Sequence, residues 1–278
     1  MPSLFSRGIA YMLLAVFCFS LVNTFAKLMP HIPVHELIFF RSLLSFSFCA
    51  WYVTHHRIPF WGTNRKWLAM RGLLGLVALS LFFSTVKNMP LATASVIQYM
   101  SPVFTVLIAT QLNNQNVKRI QWLFFAVAFA GVILTRGLDT RVSFFWLGIG
   151  IISAVFSGFA YNAIIKSKHT DHPMTIVMYF PMIALPITGF ACLFHWVQPH
   201  GWDWLFLILM SIFTQIAQYY TTIALHTDDA SKVTPWNYFG AIFAIIFGYT
   251  VFGEHVELLS VGGMLLIVTG VILNSRVK

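Results

Sequence analysis

At 278 residues, with 58% hydrophobic and 9% charged residues and a mean hydropathy of +0.78, this chain falls outside the water-soluble range, where about a quarter of residues are charged. Its net charge of +9 is scattered over short loops, which argues against a basic nucleic-acid-binding face and reports membrane topology instead. Cys18, Cys49 and Cys192 all lie in apolar stretches, excluding a disulfide framework and a thiolate metal site.

A membrane-spanning helix needs about 20 apolar residues, so ten such segments joined by short loops consume nearly the whole chain. Punctuation by Pro, Gly, His and charge places the first five near 8–28, 36–54, 67–86, 92–112 and 120–136. The first stretch lacks a small-residue cleavage site and is expected to remain as a span. The second five fall near 143–165, 173–194, 204–225, 233–252 and 258–274. With the N-terminus in the cytoplasm, the inner loops hold eleven Lys and Arg residues, from Arg7 to Lys278, against Lys27, Lys87, Arg136 and Arg141 outside. The positive-inside rule then predicts both termini in the cytoplasm, in a bacterial inner membrane.

A shift of 139 residues, half the length, lays one apolar set on the other. Asn23 falls on Asn162, Lys27 on Lys166, Gly62 on Gly201 and Phe104 on Phe243. The basic pair Arg65-Lys66 corresponds to Trp204-Leu205, and Lys118-Arg119 to Glu257-Leu258. Equivalent loops are thus basic on one side only, as expected when an odd number of spans turns the second copy over. The predicted fold is an all-α integral membrane protein: ten transmembrane helices in two inverted five-helix repeats, 1–139 and 140–278, forming one membrane domain. Inverted repeats of this kind build alternating-access transporters with the substrate site at the seam.

Polar residues inside spans mark faces turned away from lipid. Span 1 carries Ser20, Asn23, Thr24 and Lys27 at helical spacing; span 4 carries Ser95, Gln98, Tyr99 and Pro102. Span 6 contributes Ser153, Ser157 and Tyr161, span 8 Gln215, Gln218, Tyr219 and Thr222, and span 9 Thr234, Asn237 and Tyr238 beside Trp236. A single Ser or Thr in such a stripe is expected to tie helices together. Asn23, Gln98, Tyr99, Ser157, Tyr161, Gln215, Gln218, Tyr219, Trp236 and Asn237 are the candidate substrate-binding set. The predicted lining is amide, phenol and indole, with no fixed charge at mid-depth, which suits a medium-sized organic solute.

Charged residues near the spans carry other expectations. Arg41 is expected to cap carbonyls or pair with Glu36, and Arg71 to snorkel to the interface. Lys27 and Lys166 occupy equivalent span ends and, with Arg41 and Glu254, are candidates for gating or structural charge. No Asp or Glu occupies a span centre, which speaks against proton coupling through a midplane carboxylate. All ten His residues fall in loops or at span ends, which disfavours haem, and neither a metal nor another cofactor is expected. Pro90 and Pro102 are expected to flank and interrupt span 4, Pro181 and Pro186 to break span 7, and Pro235 to hinge span 9 beside Trp236. Gly72/Gly75, Ala126/Ala130 and Gly263/Gly270 permit close helix contact.

Several stretches together resemble EamA-type permeases of the drug/metabolite transporter superfamily. They are Phe40-Arg41, Arg71-Gly72, Pro90-Leu91-Ala92 running to Ser101-Pro102-Val103-Phe104, Phe252-Gly253-Glu254, and Gly262-Gly263 to Gly270-Val271-Ile272-Leu273. The resemblance covers the chain as two EamA-like units and implies ten helices, cytoplasmic termini, and a cavity lined mainly by spans 1, 3, 4, 6, 8 and 9. One departure is that Gly253-Glu254 in the second unit is matched by Asn114-Gln115 in the first.

The function read from these features is secondary transport of a small organic metabolite, an amino acid, cofactor-like or amphiphilic compound, by alternating access. A channel or facilitative pore is the alternative, though no repeated ring of charge or carbonyls is legible. A membrane enzyme would need intramembrane Asp pairs, a zinc-type His motif or a reactive Cys environment, and none is present. The expected partners are the solute and the bilayer. One copy suffices for such a cavity, and a dimer is compatible with it.

Overall fold

The computed structural model describes residues 6–113, 119–136, 143–228, 233, 236–237, 239–254 and 258–276. Apart from turns and short connections, these residues are helical, with no strand among them. The helices are α1 (Arg7–Leu28), α2 (Val34–His55), α3 (Arg65–Asn88), α4 (Leu91–Gln98), α5 (Ser101–Asn113), α6 (Arg119–Arg136), α7 (Phe144–Ser167), α8 (Pro173–Cys192), α9 (Trp202–Thr227), α10 (Phe239–Phe252) and α11 (Leu258–Arg276). Seven stretches are long and apolar enough to cross a membrane: α1, α2, α3, α4–α5 over Leu91–Ala109, α7, α8 and α9. Phe239–Phe252 and Val261–Gly270 are apolar but shorter.

Local chemistry fixes where several helices begin. Ser6 caps α1 by accepting from Ile9 N at 3.3 Å, and Ser143 caps α7 by accepting from Phe145 N at 3.2 Å. His172 caps α8 through Nδ1, and Pro173 supplies the preset φ of a first helical residue. The predicted prolines divide in their effects. Around Pro102 the helix does stop: α4 ends at Gln98 and α5 resumes at Ser101, with Tyr99-Met100 a turn between them. Pro181 and Pro186, expected to break their span, instead sit inside continuous α8. Proline frees the carbonyl four residues back, here Val177 and Met182. Packed neighbours keep such a helix intact, because hydrocarbon penalises further unwinding.

The main helix pairs are α6 with α11, α3 with α7, α1 with α9 and α2 with α8. Lesser pairs are α5 with α7 beside α1 with α10, and α3 with α8 beside α2 with α9. The largest apolar core centres on Leu37, Phe83, Met89, Ile97 and Met100, joining α2, α3 and the α4–α5 turn. Apolar side chains left outward-facing, such as Leu14, Phe48, Trp122, Ile212 and Leu265, stud the outer helix surfaces. In water such a surface would aggregate; in a bilayer it is solvated.

Many span hydroxyls are satisfied within their own helix. Ser20 donates to Val16 O, Thr24 to Ser20 O and Thr222 to Gln218 O, at 3.0, 2.9 and 2.8 Å. The ends of the bundle are tied by carboxylates. Asp171, just after α7, accepts from Thr63 N and from Asn64 N at the start of α3. His31, just after α1, pairs with Asp203 at the start of α9 at 2.9 Å. Gly62 and Gly201 precede these two helix starts with φ of +59° and +50°, a region that favours glycine.

Close approach of α6 and α11 depends on Gly131. A Cβ there would lie 2.7 Å from the Gly263 carbonyl oxygen and 2.8 Å from Ile267 N, both backbone atoms that cannot rotate away. Gly148 has open space at its Cβ position. Gly131→Val should therefore destabilise the purified protein by about 1–3 kcal/mol, the usual cost of overpacking. Gly148→Val should leave the thermal midpoint in detergent within about a degree; equal effects of the two substitutions would sink this account of the contact.

Candidate functional site

A cavity of about 170 Å³ lies where α1, α2, α3, the α4–α5 turn, α7, α8 and α9 meet. One water centre needs roughly 10–15 Å³, so this space fits an organic molecule better than a lone ion. Its polar wall includes Asn23 of α1, Gln98 and Tyr99 at the end of α4, Ser157 and Tyr161 of α7, Gln218 of α9, and Asn237. Phe82, Phe83 and Phe180 form the apolar wall.

The interrupted α4–α5 segment positions the amide edge. Gln98 Nε2 donates to Ser157 Oγ at 2.6 Å, and Ser153 Oγ donates to Gln98 Oε1 at 3.0 Å. Gln98 therefore holds α4 to α7 as well as facing the cavity. The Tyr99 hydroxyl lies against Gly240, where any Cβ would collide with it, so α10 closes over this turn. Among the described residues, the amides of Asn23 and Asn237 make no hydrogen bond. Ser95 Oγ and Thr221 Oγ1, on two further lining residues, are buried without partners. Such orphaned groups are costly in an empty interior and useful in one that receives a polar ligand.

Seven of the ten predicted substrate contacts line this cavity, and Gln215, Tyr219 and Trp236 do not. Gln215 lies between helices: it accepts from Ser45 Oγ at 2.5 Å, and its Nε2 points to Cys49 Sγ at 3.2 Å. Tyr219 packs with the cluster around Cys49, Val53 and Met178. Trp236 stacks on Phe239 at 5.4 Å and joins the apolar cluster around Met12 and Leu68. Helical rotation accounts for the first two. At about 100° per residue, Tyr219 points a quarter-turn away from Gln218, and Gln215 lies about 60° off and one turn earlier. Thr234, Pro235, Tyr238, His255 and Asn114-Gln115 lie outside the described residues.

The predicted uncharged interior needs correction, because Arg41 and Arg71 both line the cavity. They are 2% and 8% exposed. Arg41 does not pair with Glu36, whose Oε2 accepts from Val197 N at 3.0 Å at the end of the bundle. Its guanidinium carbon instead sits 5.7 Å from the Phe83 ring centroid and 5.3 Å from that of Phe180. Arg71 does not snorkel: Nη2 donates to Gln218 Oε1 at 3.1 Å, and its guanidinium carbon lies 5.6 Å from the Phe180 centroid. The Nε atoms of both arginines are buried without partners. A signal for Arg71 was present in the sequence at Gly75, one helical turn on. A Cβ at Gly75 would collide with Arg71 Nη1, so the glycine makes room for the inward-turned guanidinium. Phe180 stands 139 residues after Arg41, the same half-chain offset that relates the two apolar sets.

Arg41 apart, the candidate gating or structural charges lie away from this wall. Lys27 Nζ donates to Glu254 Oε1 at 2.5 Å and to Met89 O at 2.7 Å, while Leu91 N donates to Glu254 Oε2 at 2.9 Å. This cluster ties the end of α1 to the start of α4 and the residue following Gly253 beyond α10. Both side chains are nearly enclosed, 14% and 10% exposed. Lys166 occupies the last turn of α7. Among the described residues no group of three or more His, Cys, Asp or Glu could hold a metal.

Comparison with known proteins gives a single family. The model of the EamA-like transporter family matches twice, over residues 6–137 and 144–276. The pseudopaline exporter CntI of Pseudomonas aeruginosa is 26% identical over 99% of this chain and 98% of its own length. Human solute carrier family 35 member G1 is 29% identical over 94% of this chain and 76% of that protein. An S-adenosylmethionine uptake transporter of Rickettsia prowazekii is 22% identical over 94% of this chain and 90% of that protein. A solved crystal structure shares the fold at a TM-score of 0.72 and 14% identity, over 98% of this chain and 96% of that one. With its apolar spanning helices and this match across both halves, the chain belongs to the EamA-like transporter family and is an integral membrane transporter, not an enzyme.

Proposed function

We propose that the protein is a secondary transporter that moves a small organic metabolite by alternating access through this central cavity. The observation that carries the proposal is a membrane-embedded cavity walled from both halves, with polar atoms left unpaired inside it. The binding residues on this reading are Asn23, Gln98, Tyr99, Ser157, Tyr161, Gln218 and Asn237, joined by Arg41 and Arg71. Gln215, Tyr219 and Trp236 act by holding the surrounding helices.

Ten spans in two inverted units, 1–139 and 140–278, complete the proposal. Its support is the double family match and the way helix pairs map onto each other when the halves are exchanged. The contact of α3 with α7 becomes that of α1 with α9, and α2 with α8 maps onto itself. The Asp171 tie to Asn64 likewise has its counterpart in the His31 tie to Asp203, and Gly62 in Gly201. The loop charges favour both termini in the cytoplasm of a bacterial inner membrane. In this arrangement the Lys27–Glu254 cluster closes the outer end of the cavity and must part when that end opens.

Relatives named for export and for uptake differ in direction, so proteoliposomes should be assayed both ways. Pseudopaline, S-adenosylmethionine and free amino acids are the first solutes to screen. Saturable uptake is expected, and linear flux without saturation would favour a pore. Gln218→Ala should lower the saturable rate at least about tenfold, a change of about 1.4 kcal/mol, while Tyr219→Phe should stay within about twofold. Unchanged transport in Gln218→Ala would remove the cavity from the pathway. For the end cluster, Lys27→Met and Glu254→Gln, singly and together, should show a coupling of about 1–3 kcal/mol in unfolding measurements. Additive effects would mean that the pair does not latch that end.

A further inference from the structure

The arginines are what the transport reading leaves unexplained. A guanidinium stays charged at any physiological pH and presents five donors in a rigid plane. Arg41 has no hydrogen bond or ion pair among the described residues. Arg71 has one acceptor among them, the neutral Gln218 amide. Among the described residues no Asp or Glu lines the cavity. The described carboxylates are engaged elsewhere: Glu254 with Lys27, Glu36 with Val197 N, Asp203 with His31, Asp171 with Thr63 and Asn64, and Asp228 with Gly8 N.

Aromatic faces offset only part of this burial. A cation over a ring gains about 0.5–2 kcal/mol, whereas desolvating an ion costs several. The two cations also repel each other, because they approach one ring, Phe180, from α2 and α3. Each lies roughly 10 Å along its helix from opposite ends of the bundle, since α2 and α3 run antiparallel. A protein-internal counter-ion would neutralise the cavity permanently. Without one, the field of the two guanidinium groups favours an anion in the cavity over a cation.

Resting on the transporter reading above, we infer that the solute is an organic anion whose carboxylate binds at Arg41 and Arg71 beside Phe180. The planar guanidinium fork matches the two oxygens of a carboxylate. Phe82 and Phe83 line the space for the hydrocarbon part of the solute, and the unpaired amides of Asn23 and Asn237 remain for its neutral polar groups. Gly75 is a positioning residue, since it leaves the space that Arg71 occupies.

The test uses the purified full-length protein in detergent, with thermal midpoints recorded against glutarate, glutamate, the neutral diamide glutaramide, and glycerol phosphate. Glutarate and glutamate should raise the midpoint and glutaramide should not; Arg41→Gln and Arg71→Gln should each weaken the carboxylate response roughly tenfold or more. The double variant Arg41→Met/Arg71→Met controls for folding: it should elute as a monodisperse species with an unliganded midpoint no lower than wild type, because two unpaired charges are gone. Equal responses to glutaramide, a response to glycerol phosphate alone, no response to either carboxylate, or collapse of the double variant would each overturn the carboxylate assignment. Saturable uptake of a neutral or cationic solute, undisturbed by Arg41→Gln, would remove the anion while leaving transport intact. Carboxylate responses without saturable flux of any solute would do the reverse.

Discussion

Hydrocarbon offers no hydrogen bonds, so every backbone amide and carbonyl within the membrane must find its partner inside the protein. That constraint makes the described fold helical and sends capping and turn chemistry to the ends of the bundle, where Ser6, Ser143, His172, Asp171 and Asp203 sit. It also explains why span hydroxyls such as Ser20 and Thr24 fold back onto their own helix. Unpaired side-chain groups also gather at the cavity. There Ser95, Thr221 and the two arginine Nε atoms stay unpaired, and the helix turns at Tyr99-Met100.

The same constraint weakens the hydrophobic effect as a force between helices, so van der Waals fit decides which surfaces meet. Gly72 approaches the Tyr179 carbonyl, Gly131 the Gly263 carbonyl, and Gly158 the backbone at Phe104 and Thr105. These contacts join α3 to α8, α6 to α11 and α7 to α5. Helices brought this close leave a cavity whose wall is set by a few side chains. Within it, Gln98 both braces α4 against α7 and presents an amide edge to the cavity, so one side chain serves the packing and the lining.

Charge is distributed with similar economy. At one end, Lys27, Glu254 and the Leu91 amide satisfy one another across both halves. Inside, Arg41 and Arg71 share Phe180 and, among the described residues, no acid. This contrast between a complete end cluster and an incomplete centre is what supports the proposed reading of a carrier with a removable ligand and an end closure that parts.

Much of this was legible in the residues. Apolar lengths, loop charges and the half-chain repeat of Gly62 in Gly201 specify a helical membrane protein, because each reports a local relation between side chain and solvent. Helical spacing also identified Asn23, Gln98, Tyr99, Ser157, Tyr161, Gln218 and Asn237 as inward-facing, and all seven line one cavity. Spacing alone could not separate Gln218 from Gln215, since both face protein and only the neighbouring helix decides whether a space or a sulfur lies opposite. Nor could it determine that Arg71 turns inward, which depends on the gap at Gly75, or that Arg41 lies over an aromatic ring half a chain away. Pattern along the chain determined which faces avoid lipid. Contacts between segments far apart in sequence decided what each face meets, and with it the charge of the site.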